Sequence, residues 1–242
     1  MNKLRINNVF GIKPTTNHTA AGMDFYIPNI PAIKDLSDEK YHQIMEAFSK
    51  SFDYEIEELE FMMDRLTLQV AALYNEETAE RNQLNLLHLY CALSSSELDC
   101  TIELDDKIEY FVDEYLIFDK NNKPGICAQI NDHVKFNSGI KIKLDPNYAG
   151  VFFNKSGRGS KGWDVRACVV DEDYAGYVHC NLAMTSELYE AGQIYCGDKI
   201  TQMLILEISH CDIEEVSDDE YTELQSESKR GADAFGSSNE KH

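Results

Sequence analysis

A change in Gly and Pro content and in apolar spacing in the middle of the chain constrains the fold more than any other feature. From Leu36 to about Phe118 there is almost no Gly or Pro, whereas residues 1–33 and 125–216 are punctuated by Gly, Pro and Asn. The middle segment has helical apolar spacing, and the flanks contain short alternating stretches typical of strands. The sequence therefore predicts helices inserted into a β domain. The predicted boundaries are 1–33 and 123–216 for the β domain, 34–122 for the helical insert and 217–242 for a polar C-terminal arm.

The first predicted helix begins after Ser37, a residue type that favours the N-cap position. Its apolar residues then recur at the i, i+3, i+4, i+7 spacing of an amphipathic helix: Tyr41, Ile44, Met45 and Phe48. A second helix has heptad spacing: Ile56, Leu59, Met63, Leu66, Val70 and Leu73. Two more helices are predicted near 78–93 and 105–118. We expect the four helices to form a bundle that packs against itself, with the heptad row of the second helix in its core.

Five stretches in the C-terminal half predict strands, because apolar residues alternate between turn signals. They are 139–144, 148–153, 163–170, 176–184 and 199–208. Many short strands separated by turns are typical of a sandwich or a barrel.

The composition excludes several classes of protein. A formal net charge of −21 disfavours nucleic acid and anionic membranes as partners. The chain contains no apolar run of about 18 residues, which predicts no transmembrane helix, and its first residues lack a signal-peptide core. Seven cysteines without a C-x-x-C pair predict reduced thiols and a cytoplasmic location rather than a disulfide framework or a zinc site.

One short loop has the opposite charge to the rest of the chain. Residues 34–120 carry 22 acidic and 7 basic side chains, whereas the Gly/Ser-rich loop at 154–166 carries four basic side chains and one acidic. This loop is either a binding site for a small anion or a solvated surface loop.

The stretch VVDEDYAGYV, residues 169–178, places three acidic residues beside a tyrosine. The valines on one side and Tyr177–Val178 on the other predict strands, with a turn between them. Asp is common in turns because its side chain hydrogen-bonds nearby main chain. The residues alone leave open whether this turn is structural or reactive.

Five motifs in order resemble those of the trimeric dUTP pyrophosphatases (dUTPases). They are AAGMDFYIP (20–28), NKSGRGSKG (154–162), WDVRACVVDEDYAGYV (163–178), GDKITQMLI (197–205) and RGADAFGSS (230–238). The third is the most specific, and the resemblance covers the β part of the chain but none of the helical insert.

The resemblance implies a mainly β fold, a dUTPase-like jelly-roll β-barrel carrying the inserted helical bundle. It also implies hydrolysis of dUTP to dUMP and pyrophosphate by a homotrimer whose sites each contain residues of three chains.

Asp171 matches the family aspartate that orients the attacking water and contacts the 3′-OH of the deoxyribose. A carboxylate suits this role because it accepts the proton of the water in a tight hydrogen bond. Tyr174 matches the tyrosine that lies against the deoxyribose and excludes a 2′-OH. Glu172 is then part of the turn, and Asp173 is a supporting partner.

Uracil recognition is implied for the main chain around Cys168, Val169 and Val170. The family usually has Gly at position 168, so Cys168 is a departure. His179 corresponds to a position that contacts the base through its main chain.

The phosphates are expected to bind Lys155, Ser156 and Gly157, with support from Gln202. Lys155 replaces a family arginine and loses its bidentate fork, a function that Arg158 is expected to recover. Mg²⁺ is expected on the three phosphates, with Asp24 nearby through water.

The C-terminal arm carries the last motif. By resemblance Arg230 pairs with the γ-phosphate and Phe235 stacks over uracil, with Gly236 and Ser237 in the same closing segment. An arm that closes over a bound substrate excludes water from the reaction.

Two alternatives remain open at the level of sequence. A dCTP deaminase is a relative on the same fold, although VVDEDYAG favours a dUTPase. The chain could instead serve mainly as a module that binds a regulatory protein through the acidic helical insert. Ammonia release from dCTP would identify the first alternative, and the sequence names no partner for the second.

Overall fold

The computed structural model of the chain describes residues 4–16, 21–94, 103–167, 169–188 and 191–227. The chain divides into two units, residues 1–208 and 209–242. The first unit contains the sheets and the helices of the insert. In the described part of the second unit, the helix Asp218–Ser226 begins after Ser217, whose side chain accepts a hydrogen bond from Glu220 N.

Thirteen strands are present in the described ranges of the first unit. They are β1 (Arg5–Asn8), β2 (Thr15–Thr16), β3 (Met23–Tyr26), β4 (Leu93–Ser94), β5 (Leu116–Phe118), β6 (Pro124–Cys127), β7 (His133–Lys143), β8 (Tyr148–Asn154), β9 (Trp163–Ala167), β10 (Val169–Val170), β11 (Tyr177–Met184), β12 (Gln193–Tyr195) and β13 (Lys199–Glu207). The longer helices of this unit are α1 (Asp38–Phe52), α2 (Ile56–Leu73), α3 (Glu76–Ala92) and α4 (Leu104–Glu114), and α5 is the short turn Ser156–Gly159.

The strands form three antiparallel sheets. The first has the order β1-β7-β11-β9, with β4 also paired to β7; the second has the order β10-β8-β13-β3-β2; the third is β12-β6-β5. The expected β fold with inserted helices is confirmed. Among the described residues, no helix combines the length and apolarity that crossing a membrane requires.

The helices begin where their capping residues predict. Ser37 accepts a hydrogen bond from Lys40 N at the start of α1, and Asn75 accepts one from Thr78 N at the start of α3. A capping box between Glu55 and Glu58 starts α2. These side chains satisfy main-chain N–H groups that have no partner inside their helix.

The predicted heptad row on α2 is only partly buried. Leu59, Met63, Leu66 and Val70 are buried, whereas Leu73 is 54% exposed. The row becomes exposed to solvent at the end of the helix, so the prediction that Leu73 belongs to the core is wrong.

The fourth helix ends earlier than predicted. It stops at Glu114, and residues Leu116–Phe118 form β5 instead, paired with β6. The connecting turn is built on Asp119, whose Oδ1 accepts hydrogen bonds from Asn121 N and Lys123 N at 2.8 and 2.9 Å. An apolar run of this length fits either state, and the partner strand decides it.

The predicted strand 163–170 is also corrected. It forms two strands in different sheets, because β9 pairs with β11 and β10 pairs with β8. The other four predicted strands are confirmed as parts of β7, β8, β11 and β13.

The helices share their core with the sheets. Phe48 of α1 and Leu86 of α3 belong to the same cluster of buried residues as Phe136 and Ile140 of β7. Helix α3 packs against both β7 and β6. The helices pack against one another, as expected, and they also pack against the sheets; the domain boundaries stay predictions.

Candidate functional site

A cavity of about 180 Å³ opens beside the turn that joins β10 to β11. Five predicted site residues line it: Val169, Val170, Asp171, Tyr174 and His179. Among the described residues that line the cavity, Asp171 is the only carboxylate. The structure therefore brings the predicted base, sugar and water contacts to one place.

Sequence reasoning missed the remaining lining residues. They are Phe152, Ala167, Tyr177, Val178 and Asn181. Three of the ten lining residues, Tyr177, His179 and Asn181, stand two apart on β11. Residues at this spacing share a face of a strand, so the alternation around His179 was the signal that could have found the other two.

The acidic turn holds the Tyr174 ring in place. Its main-chain N–H donates to Asp171 O at 3.2 Å, and its Oη donates to Tyr177 O at 2.5 Å. A Cβ at Gly176 would come within 2.5 Å of Tyr174 Oη, so the ring occupies space that only glycine leaves free. Partial burial raises the pKa of Tyr174 above its ordinary value, which keeps the hydroxyl protonated and able to donate.

Glu172 has a structural part in the same turn. Its Oε2 accepts a hydrogen bond from Asn147 N, in the loop before β8. The carboxylate of Asp171 is exposed beside it. In this turn the Glu172 side chain is therefore bound to the main chain, whereas Asp171 lines the cavity.

His179 Nε2 is buried and has no hydrogen-bond partner among the described residues. Burial lowers the pKa of His179 to about 4, with a further contribution from the charge of Lys135, while the main chain of Tyr177 opposes the shift. His179 is therefore a neutral wall of the cavity near pH 7.

A second group of predicted residues lies around Asp24 on β3. Lys155 Nζ donates to Asp24 Oδ1, and Lys199 Nζ lies 2.9 Å from Asp24 Oδ2. Burial alone would raise the pKa of Asp24, but the hydrogen bonds and charges of the two lysines outweigh it and hold the pKa below its ordinary value. One carboxylate shared by two ammonium groups leaves the group with a net positive charge, which suits phosphate.

Gln202 pairs with Asp24 in the ladder between β13 and β3. Its Nε2 donates to Asn154 O at 2.9 Å, which ties the ends of β13 and β8 together. Ser156 and Gly157 follow directly in α5 and are exposed, and a Cβ at Gly157 would contact nothing within 4 Å. The short loop after β8 is therefore open to a ligand beside the two lysines.

Arg158 makes its hydrogen bonds within its own chain. Its Nη2 donates to Asp198 Oδ2 at 2.7 Å, and its Nη1 donates to Gln193 O at 3.1 Å. The guanidinium anchors α5 to the segment before β13, so the interpretation that it recovers a phosphate fork is not supported.

The predicted residues thus fall into two groups on one chain. Val170 is opposite Gly150 on β8, whereas Lys155 follows the other end of that strand. Five residues of extended chain span about 17 Å. Cys168, Arg230, Phe235, Gly236 and Ser237 lie outside the described residues.

The described side chains do not form a resident metal site. Over the described ranges there is no group of three or more His, Cys, Asp or Glu side chains that could hold a metal ion. Asp24, the predicted outer-sphere contact, has its two carboxylate oxygens engaged by Lys155 and Lys199. The observed donor set therefore does not fit a metal held by protein ligands.

The family model of the dUTPases matches residues 117–239. Two curated proteins from the Twist and TW08/27 strains of Tropheryma whipplei, each named deoxyuridine 5′-triphosphate nucleotidohydrolase, are 34% identical over 104 residues. The match covers 42% of this chain and 66% of each relative, so the chain spans just under two thirds of the length of these relatives.

Solved structures of phage dUTPases resemble the chain over most of its length. A variant of the Staphylococcus bacteriophage 80alpha dUTPase with dUpNHpp is 14% identical, has a TM-score of 0.49 and matches over 98% of this chain and 99% of its own. A variant of the dUTPase from phage phi11 of S. aureus is 12% identical, has a TM-score of 0.44 and matches over 90% of this chain and 99% of its own.

Proposed function

Since the chain belongs to the dUTPase family, whose model matches half of it, we propose that it hydrolyses dUTP to dUMP and pyrophosphate. The observation that carries this proposal is the cavity beside β10 and β11. It collects Val169, Val170, Asp171 and Tyr174 from the most specific motif in one place.

Asp171 is the group that orients the attacking water. A carboxylate exposed at the edge of the cavity can accept a proton from a water molecule and align it for in-line attack on the α-phosphate. The family resemblance implies this role for Asp171, and the neutral His179 and the apolar valines beside it carry no competing charge.

The base and the sugar are selected by shape. Main-chain groups around Val169 and Val170 pair with uracil, and the fixed ring of Tyr174 packs against the deoxyribose. Because the Tyr174 hydroxyl is held by the Tyr177 carbonyl, the ring cannot turn aside for a 2′-OH.

The triphosphate is bound by Lys155 and Lys199, with Ser156 and Gly157 in the open loop. These residues stand at the far end of β8 from the cavity of their own chain. Because the chain resembles the trimeric dUTPases, we propose a homotrimer, in which one site takes its cavity and its phosphate groups from different chains. Light scattering should give about three times the chain mass of 27.6 kDa, and a monomer would contradict it.

We propose that Mg²⁺ arrives on the substrate rather than in a protein cage. Mg²⁺ binds phosphate oxygens and retained waters more readily than an all-protein site, and it neutralises charge on the triphosphate.

The activity is tested by incubating the protein separately with dUTP, dCTP, dTTP and UTP, with Mg²⁺ and with EDTA. We expect dUMP and pyrophosphate in equal amounts from dUTP, with far slower reaction of the other three and loss of rate in EDTA. Ammonia release from dCTP would instead establish the deaminase alternative, and release of orthophosphate would contradict the proposed bond cleavage.

A further inference from the structure

A buried hydrogen bond joins the helical insert to the central strand β7. Asn137 Nδ2 donates to Ser51 Oγ of α1 at 2.7 Å, and Asn137 Oδ1 accepts from Gly139 N at 2.8 Å. Asn137 is fully buried and Ser51 is 6% exposed. Since buried polar groups are costly to leave unpaired, this contact fixes the position of α1 on the strand.

Asn137 stands directly opposite His179, which lines the nucleotide cavity. Residues opposite each other on antiparallel strands have neighbouring side chains. The ladder between β7 and β11 shifts register between Tyr177 and His179. A bulge interrupts main-chain pairing, so at this point side-chain contacts supplement the ladder in holding β11.

The insert supports the same place through His88 of α3. This side chain is completely buried, and neither ring nitrogen has a hydrogen-bond partner of good geometry among the described residues. Its ring stacks on Phe48 with centroids 5.3 Å apart and lies 5.8 Å from Phe136 of β7. An aromatic enclosure of this kind holds the imidazole as a packing group.

His88 and His179 are near enough to affect each other. Burial, together with repulsion from a charged His179, lowers the pKa of His88 to about 3, while the main chain of Asn137 opposes the shift. Both imidazoles are therefore neutral near pH 7. The insert reaches the layer of side chains directly behind the cavity.

We propose that the helical insert positions the nucleotide-binding strand β11, and that Ser51, His88 and Asn137 are positioning residues for substrate binding. None of the three lines the cavity or touches the reacting atoms. This inference rests on the proposed function, and it makes the insert a support for the binding site rather than a separate addition.

Two hydroxyl deletions on the same helix test the proposal. Ser51→Ala removes the contact with β7, whereas Tyr41→Phe removes a hydrogen bond to Glu60 that stays inside the insert (3.2 Å). We expect Ser51→Ala to raise KM for dUTP and Kd for dUpNHpp about tenfold with kcat nearly unchanged. Tyr41→Phe should leave KM, Kd and kcat at the wild-type values.

Hydrogen–deuterium exchange of the nucleotide-free protein tests the positioning without relying on catalysis. Amides of residues 177–184 should exchange faster in Ser51→Ala than in wild type, and Tyr41→Phe should match wild type there. The measurement is made well below the melting temperature of both variants, so that global unfolding does not contribute.

Each other outcome overturns the inference. Equal changes in KM for the two variants, a loss of kcat alone, or unchanged exchange in β11 would show that the Ser51 contact is merely structural. A wild-type protein that neither binds dUpNHpp nor hydrolyses dUTP would overturn the proposed function together with this inference. Normal wild-type activity with unaltered Ser51→Ala kinetics would overturn the inference alone.

Discussion

Tyr174 Oη donates a 2.5 Å hydrogen bond to the carbonyl oxygen of Tyr177, three residues further along the chain. The bond closes the acidic turn over Gly176 and fixes the ring before any nucleotide arrives. A side chain that is already held in place excludes a competing sugar better than one that can rotate. No part of the binding free energy of the substrate is then needed to order the side chain.

The first prediction concerns choice of sugar. Tyr174→Ala should reduce the preference for dUTP over UTP, expressed as the ratio of kcat/KM values, by about 10–100-fold. Tyr174→Phe keeps the ring but loses the hydrogen bond that fixes it, so its preference should lie between those of wild type and Tyr174→Ala. The two ratios are measured under identical Mg²⁺ conditions, and an unaltered ratio in Tyr174→Ala would remove the sugar role.

The second prediction concerns the water-orienting group. Asp171→Asn should lower kcat by about 10²–10⁴-fold, because an amide cannot accept the proton of the water. Binding of dUpNHpp, measured by calorimetry, should change little. Asp173→Asn is the matched control in the same turn, since Asp173 is exposed and is absent from the described cavity lining. Equal losses in both variants would point to the charge of the turn rather than the position of Asp171.

The third prediction concerns acid stability. The pKa of Asp24 is lower in the folded chain than its ordinary value, so its pairing stabilises the fold above that value and is lost as the pH falls through the folded pKa. Asp24→Asn should lower the free energy of unfolding at pH 7 by about 1 kcal/mol.

Urea titrations at several pH values check this sign. The difference between wild type and Asp24→Asn should narrow as the pH falls below about 4. The exposed residue Asp106 of α4 provides the control variant Asp106→Asn, which should follow wild type at every pH. If the difference in the free energy of unfolding widened as the pH falls, the effect of Asp24 would have the opposite sign to the one predicted.

The fourth prediction concerns the anchor of the Gly/Ser-rich loop at 154–166. Arg158→Gln should reduce the free energy of unfolding by about 1.5–3 kcal/mol, since it breaks charged hydrogen bonds to Asp198 and Gln193 O. Lys161→Gln, in the same loop but exposed, should stay within about 0.5 kcal/mol of wild type. Denaturant titrations measure the free energies of unfolding. An unchanged value for Arg158→Gln would show that the loop is held by other contacts.

The fifth prediction concerns the shared core. Phe48→Ala should cost about 3–5 kcal/mol, whereas Phe61→Ala on the outer face of α2, where the ring is 55% exposed, should cost less than about 0.5 kcal/mol. Far- and near-ultraviolet circular dichroism should report one coincident thermal transition in wild type. Separate transitions for helix and sheet signals would show that the insert has its own core.

Local signals predicted a large part of the fold. The spacing of Ile44, Met45 and Phe48 after the Ser37 cap predicted α1, and alternation predicted β11 and β13. These signals depend only on residues close together in the sequence, and the structure confirms the three elements. Residues Leu116–Phe118 fit both a helix and a strand, and only pairing with β6 settled their state.

The candidate site was predictable where one motif supplied several residues. Asp171, Tyr174 and the two valines meet because the turn between β10 and β11 is short. Lys199 was not singled out, because its partner Asp24 comes from β3 and is brought near by ladder pairing. The anchoring contact of Arg158 was missed for the same reason: its charge is visible in the sequence, but its distant partner Asp198 is not.

The register that places Asp24 opposite Gln202 joins positions 178 residues apart. During synthesis, all four helices of the insert leave the ribosome before β13 does. Contacts between the helices can therefore form while the second sheet is still incomplete. Non-local pairings of this kind form slowly, and until Lys199–Glu207 emerge, β3 and β8 each lack the neighbour that lies between them. Unpaired strand edges recruit other chains. Synthesis that pauses before β13 should therefore be the point at which nascent chains are most exposed to aggregation and most in need of a chaperone.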